Sequence, residues 1–179
     1  MLLPVLASCY RPLVSCKMVI LALLLDQMAI MATSLFCGAA VYVSLVEQPA
    51  RMQVPLREAA RQFGKSYPRA ALLQPIYIAT SCAASATRSL TTFPSVTLHR
   101  QSKAMQQAHL VNLVMMGGCL MWTLVSMLPG NKALLAAERE PIPRVKQLLQ
   151  TWGWKHNLRS VASAAALFVL LAASLGLFE

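Results

Sequence analysis

The chain has 179 residues, 57% of them hydrophobic and only 12% charged, with a formal net charge of +10. So apolar a composition excludes an ordinary soluble domain, and the length suffices for several membrane spans in one domain. The basic residues are scattered along span-flanking loops without interleaved aromatics or a recognisable module, which argues against nucleic-acid binding and for attraction to anionic membrane lipids.

Residues 1–18, "MLLPVLASCYRPLVSCKM", lack the early positive charge and continuous apolar core of a cleaved signal peptide. They are expected to be retained, with Lys17 and the apolar run after it serving as a signal anchor. Asp26-Gln27 either interrupts one long tilted helix or ends a short entry segment, so residues 1–27 are set apart from a single membrane domain over 28–179. Spans are predicted at 28–46, 70–87, 110–128 and 161–178, each free of Asp, Glu, Lys and Arg. Roughly 18 residues at 1.5 Å each cross about 27 Å of hydrocarbon. The second span carries Gln74, Pro75, Thr80, Ser81 and Ser85 and needs shielding by its neighbours.

Between the first two spans, Pro55 starts a short helix with Leu56, Ala59, Ala60 and Phe63 on one face and Arg57, Glu58, Arg61 and Lys65 turned outward. Before the fourth span, Val145, Leu148, Leu149 and Trp152 form a similar stripe on a helix able to run on into that span. Both stripes suit helices lying on the membrane surface. Small residues at Gly38-Ala39-Ala40, Ala83-Ala84-Ser85-Ala86, Gly117-Gly118 and Ser163-Ala164-Ala165-Ala166 are expected to let helices approach closely. The expected fold is all-α: an integral membrane four-helix bundle with short interfacial helices in its two basic loops.

Lys and Arg counts orient it. Arg51, Arg57, Arg61, Lys65 and Arg69 lie between spans one and two, and Lys132, Arg139, Arg144, Lys146, Lys155 and Arg159 between three and four. Only Arg11, Lys17, Arg88, Arg100 and Lys103 fall on the other side. The excess places loops one and three in the cytoplasm and both termini across the membrane.

On the basic side the polar residues collect at four helix ends. Glu47 and Arg51 leave span one, Tyr67, Arg69 and Gln74 enter span two, Asn131 and Lys132 leave span three, and Trp154, His156 and Arg159 enter span four. An up-and-down bundle brings these ends together, and the spacings of Glu47 with Arg51 and of His156 with Arg159 put each pair on one helical face. Headgroup contact by Arg, Lys and Trp accounts for the same residues, and so does a plain Glu47–Arg51 pair. His99 and His109 fall on the opposite side from His156, so no histidine cluster or metal site is predicted. Cys9, Cys16, Cys37, Cys82 and Cys119 form no CxxC, and the mid-span ones suit packing. Asp26, Asn112 and Thr123 are expected to make interhelical or interfacial hydrogen bonds.

The stretches "GAAVYVSLVEQPAR" (38–51), "SYPRAALLQP" (66–75), "LPGNKALL" (128–135) and "LLQTWGWKHNLRS" (148–160) together resemble successive blocks of the anthrone oxygenase-like membrane family. The resemblance covers roughly residues 28–178 and departs from the family pattern at Phe63-Gly64, Gly130 and Ser160. It implies oxidation of a polyketide-derived hydroxyanthrone at C10 to an anthraquinone, with O2 as co-substrate, no organic cofactor and the question of a metal left open. The implied partners are a lipophilic aromatic substrate and membrane lipids, with room for a homo-oligomer, in the endoplasmic reticulum or vesicles derived from it. On this resemblance His156 is the general base, Glu47 orients it or is itself the base, Arg51 and Arg159 stabilise anionic oxygen, and Gln74, Tyr67, Asn131 and Trp154 contact substrate. The residues themselves equally suit a non-catalytic membrane carrier or accessory protein. A proton-coupled transporter would need a polar path through the middle of the bundle.

Overall fold

A computed structural model describes residues 3–90, 99–137 and 140–178, with side chains described at 17–90, 103–137 and 140–178. The side chains of Cys9, Arg11, Cys16, His99 and Arg100, residue Arg139, and part of the 1–18 leader reading lie outside the described residues.

The described residues are helical apart from short turns, without strands. Four long helices, α1 (Leu3–Tyr42), α3 (Leu56–Leu90), α4 (His99–Trp122) and α6 (Ile142–Ser174), are joined by short α2 (Gln48–Arg51) and α5 (Leu128–Leu135). Wider π-helical turns, Val43–Glu47 and Thr123–Met127, precede α2 and α5. One plan thus occurs twice: long helix, π-turn, short helix containing a proline, then a long helix begun at a proline. Pro49 and Pro129 explain the π-turns. Each lacks an N–H and crowds the carbonyl four residues back, so the turn before it relaxes to wider bonding, Gln48 N–H to Val43 O and Leu128 N–H to Thr123 O.

The long helices pack in a ring, α1 on α3, α3 on α4, α4 on α6 and α6 on α1. Small side chains make the contacts: Ala29, Ala40, Ser81, Ser85, Ala108, Ser163 and Ala166 are fully or almost fully buried. The expectation that glycines share this role is corrected. Gly38, Gly117 and Gly118 have nothing from a neighbouring helix within 4 Å of where a Cβ would stand. Large side chains point outward, among them Leu23, Met31, Leu72, Val114, Val125 and Phe168, as lipid-facing surfaces do. The helical stretches Lys17–Arg51, Lys103–Leu135 and Ile142–Ser174 are long and apolar enough to cross a membrane, which is consistent with a membrane protein. α3 is as long but more polar.

Two further corrections concern α1, α3 and α6. α1 runs through Asp26-Gln27 without interruption. The stripes expected on surface helices are the first turns of α3 and α6, and they face each other: Ala59, Ala60 and Phe63 pack with Val145, Leu149 and Trp152 and with Met127 and Leu134. Two apolar stripes at one end of a bundle bury more surface against each other than either does lying alone on headgroups.

Candidate functional site

The π-turns deliver polar residues to one end of the ring in matching register. Arg51 and Asn131 each stand eight residues after the first residue of their π-turn, and both are almost fully buried. Between them, α3 contributes Phe63, Tyr67 and Gln74, and α6 contributes Trp152, His156 and Arg159 at helical spacings of three and four. These side chains border a cavity of about 220 Å³.

Arg51 is 1% exposed. Its Nη1 donates to Gln48 Oε1 (2.9 Å), its Nη2 is paired with Glu47 Oε1, and its guanidinium lies 5.6 Å from the ring centres of both Phe63 and Trp152. Gln48 is itself fixed, donating Nε2 to Leu149 O (2.9 Å) on α6. Gly153 makes this possible, because a Cβ there would stand 3.0 Å from Gln48 Nε2 and 3.1 Å from its Cγ. Asn131 accepts from Trp152 Nε1 (2.7 Å) and donates to the Tyr67 hydroxyl (3.0 Å). The indole is thereby locked edge-on to Phe63 and stacked on the His156 ring at 4.8 Å.

His156 is held without a carboxylate. Its Nε2 donates to Ala40 O (3.3 Å), a carbonyl that also accepts from Ser160 Oγ (2.9 Å). A carbonyl can only accept, so Nε2 carries the hydrogen and Nδ1 is the basic nitrogen. That Nδ1 is buried and has no partner. The expectation that Glu47 orients His156 is corrected: Glu47 bonds Arg51, and the backbone of Ala40 and the face of Trp152 fix the imidazole. Arg159 donates Nη2 to Gln74 Oε1 (2.7 Å), approaches Met127 Sδ (3.7 Å) and lies 5.1 Å from the centre of the Phe36 ring. The Nε atoms of both arginines lack partners.

Seven of the eight residues singled out from sequence, Glu47, Arg51, Tyr67, Gln74, Asn131, His156 and Arg159, border this one cavity. Trp154 does not. It is 66% exposed, and Trp152 takes the place expected for it. Periodicity held the signal: Trp152 is four residues before His156 and shares its face, whereas Trp154 is two before and points away. Ser66 and Met127 were missed as lining residues, whereas Phe63, where the chain departs from the family pattern, does form part of the wall. Among the described residues no group of three His, Cys, Asp or Glu is placed to hold a metal ion.

The anthrone oxygenase family model matches residues 63–169, more than half of the chain. The chain belongs to the anthrone oxygenase family. In this family member the match takes in Tyr67, Gln74, Asn131, Trp152, His156 and Arg159, while Glu47 and Arg51 lie upstream of it. No curated protein and no solved structure matches the chain. Membership points to an oxygenase-type oxidoreductase.

A second polar cluster begins at Ser81, one turn along α3 from the cavity-lining Ile78, and ends at Asp26, about 25 Å along α1 from the cavity-lining Val43. Asp26 Oδ1 accepts from Arg88 Nε (2.9 Å) and His109 Nε2 (2.8 Å), and His109 Nδ1 bonds Ser85 Oγ (3.1 Å). Asn112 Nδ2 donates to Ser85 and Ser81 (both 2.8 Å), while Thr33 Oγ1 donates to Asn112 Oδ1 (3.1 Å). These are the interhelical bonds expected of Asp26 and Asn112. Thr123, by contrast, bonds within its own helix, to Cys119 O (2.7 Å).

Proposed function

We propose that this protein oxidises a polyketide-derived hydroxyanthrone at C10 to the anthraquinone, using O2 and no organic cofactor. The observation that carries the reading is an apolar, aromatic-walled cavity with a buried imidazole whose Nδ1 is unpartnered, flanked by two buried guanidinium groups, in a member of this family.

The anthrone C10 proton is acidic because the carbanion left behind is delocalised onto the carbonyl oxygen as an anthranol-type anion. His156 Nδ1 takes that proton. Arg159 and Arg51 stabilise the enolate oxygen and the reduced oxygen species through fixed donors in a site of low dielectric constant. The electron-rich anion gives an electron to O2, the carbon radical and superoxide combine as a C10 peroxide that takes the proton back from His156, and loss of water from the hydroperoxide leaves the C10 carbonyl. Glu47 holds Arg51 in place, Trp152 and Tyr67 bound the ring system, and Gln74 and Asn131 position polar substituents. The protein crosses the membrane four times in the endoplasmic reticulum or vesicles derived from it, with α3 shielded by its neighbours. A flat, poorly soluble substrate partitions to the interface where the cavity lies.

The test is anthraquinone formation from emodin anthrone under air in membranes containing the protein, beside empty membranes and His156→Ala membranes at matched expression. The rate is expected to exceed empty membranes clearly and to fall about a hundred-fold or more in the variant, the usual contribution of a general base. Equal rates in all three would remove the oxygenase reading.

A further inference from the structure

We propose that the cavity takes its flat aromatic ligand as an anion and that Arg159 is the residue that holds the ionised oxygen. The proposal rests on the oxygenase reading of this site and names the charge state of the molecule it accepts.

The argument is a charge count. Two guanidinium groups border the cavity, and arginine stays protonated in proteins. Arg51 is paired with Glu47. Arg159 is only 6% exposed, and its contacts are a neutral amide, a thioether and a phenyl ring. Its Nε has no partner at all. The titratable and charged groups around it are His156 on α6, Tyr67 on α3, Cys119 on α4, Glu47 in the first π-turn and Arg51 on α2. Only Glu47 among these is a carboxylate, and it is committed to Arg51.

A buried, uncompensated cation is costly unless a negative partner joins it. Arg159 lines the cavity, so that partner is the ligand. The remaining wall restricts its shape: Phe63, Tyr67 and Trp152 offer aromatic surface and Met127 and Leu124 apolar contact. A planar polycyclic ring bearing one ionised oxygen meets both demands, and that oxygen belongs to an acidic phenol or to a ring carboxylate. The charge then acts in recognition, before any oxygen chemistry begins.

The experiment uses the full chain in lipid nanodiscs and two air-stable probes, emodin and a dihydroxyanthraquinone carboxylic acid, at a pH where the phenols of both are neutral in solution. Hydroxyanthraquinones absorb at longer wavelength once a phenol ionises. If the anion is a phenolate, bound emodin shows the long-wavelength band. If it is a carboxylate, the carboxylated probe binds about ten-fold or more tighter than emodin and keeps its neutral-phenol spectrum. Either result supports the proposal when Arg159→Gln weakens the favoured probe about ten-fold or more and Arg159→Lys, which keeps the charge, recovers part of the loss. Equal binding of both probes as neutral phenols, unchanged in correctly inserted Arg159→Gln, would overturn it, as would binding of neither. Anthrone oxidation in the same preparations reports on the oxygenase reading separately: turnover with neutral binding sinks the charge assignment alone.

Discussion

Gly153 shows how one missing side chain sets a charged group in place. Gln48 fills the space over it and is pinned at both ends, to Leu149 O and to Arg51. Gly153→Ala gains roughly 1 kcal/mol of helix propensity while pushing Gln48 by a few tenths of an ångström, so its stability is expected to change little. The shift is passed to the Arg51 guanidinium bonded to Gln48, and since misplacing a catalytic group by 1 Å costs about a hundred-fold, a displacement of a fraction of that is expected to lower turnover about ten-fold. Thermal unfolding in detergent beside anthraquinone formation separates the two effects, and equal losses in both would reduce Gly153 to a packing position. Much of this site was legible because polar residues at the ends of apolar runs have few places to go: Glu47, Gln74, Asn131 and Arg159 converge as soon as the helices are antiparallel. Pairing was less legible. The i,i+4 spacing offers the Glu47–Arg51 pair, but it does not exclude a Glu47 that also reaches His156.

Helices show the same limit on what patterns reveal. Leu56, Ala59 and Phe63 read as a face seeking an apolar surface, and they are one; the run of the second stripe into its span was legible and α6 is continuous, but that the two stripes cover each other depends on how α3 and α6 pack, which neither stripe announces. The π-turns were hidden for a related reason, because a proline one turn into a helix equally suits a kink or a stop. The clamp at the other end was half visible. Asp26, Asn112 and Ser81 are polar residues within the span segments, and through Ser85 and His109 their bonds form one chain that ties α1, α3 and α4 together. Asp26 Oδ1 accepts from both Arg88 and His109, so Asp26→Leu removes one acceptor from two buried donors. The expected cost is about 3–5 kcal/mol, read as earlier thermal unfolding. Since Asp26 is about 25 Å along α1 from the cavity-lining Val43, turnover per folded molecule should be unchanged. A variant as stable as the parent would mean that these bonds only replace equally good ones in the unfolded membrane state.

For the molecule as a whole, the question is which side of the membrane the cavity opens toward. Both π-turns, α2, α5 and the first turns of α3 and α6 lie at the cavity end. The loops at this end also carry eleven of the sixteen lysines and arginines. Part of that charge is used inside, by Arg51 and Arg159, but Arg57, Arg61, Lys65, Arg69, Lys132, Arg144 and Lys146 are exposed and are available for orientation and lipid contact. The cavity end is therefore expected in the cytoplasm. Single cysteines introduced into a chain otherwise free of them report this in sealed microsomes treated with a membrane-impermeant maleimide. Gln53→Cys and Gln147→Cys, both at exposed positions of the cavity end, should label at once, and Lys103→Cys, exposed at the far end of α4, only after permeabilisation. The reverse pattern would put the cavity on the lumenal side and leave the basic loops without an orienting role. Labelling of Gln53→Cys and Lys103→Cys but not Gln147→Cys in sealed vesicles would mean three crossings, by α1, α4 and α6, which is how a failure of α3 to span would appear. The measurement thus tests the weakest of the four long helices together with the orientation, because α3 spans only if its polar first half stays on the cavity side and Gln74 is satisfied by Arg159 at the boundary.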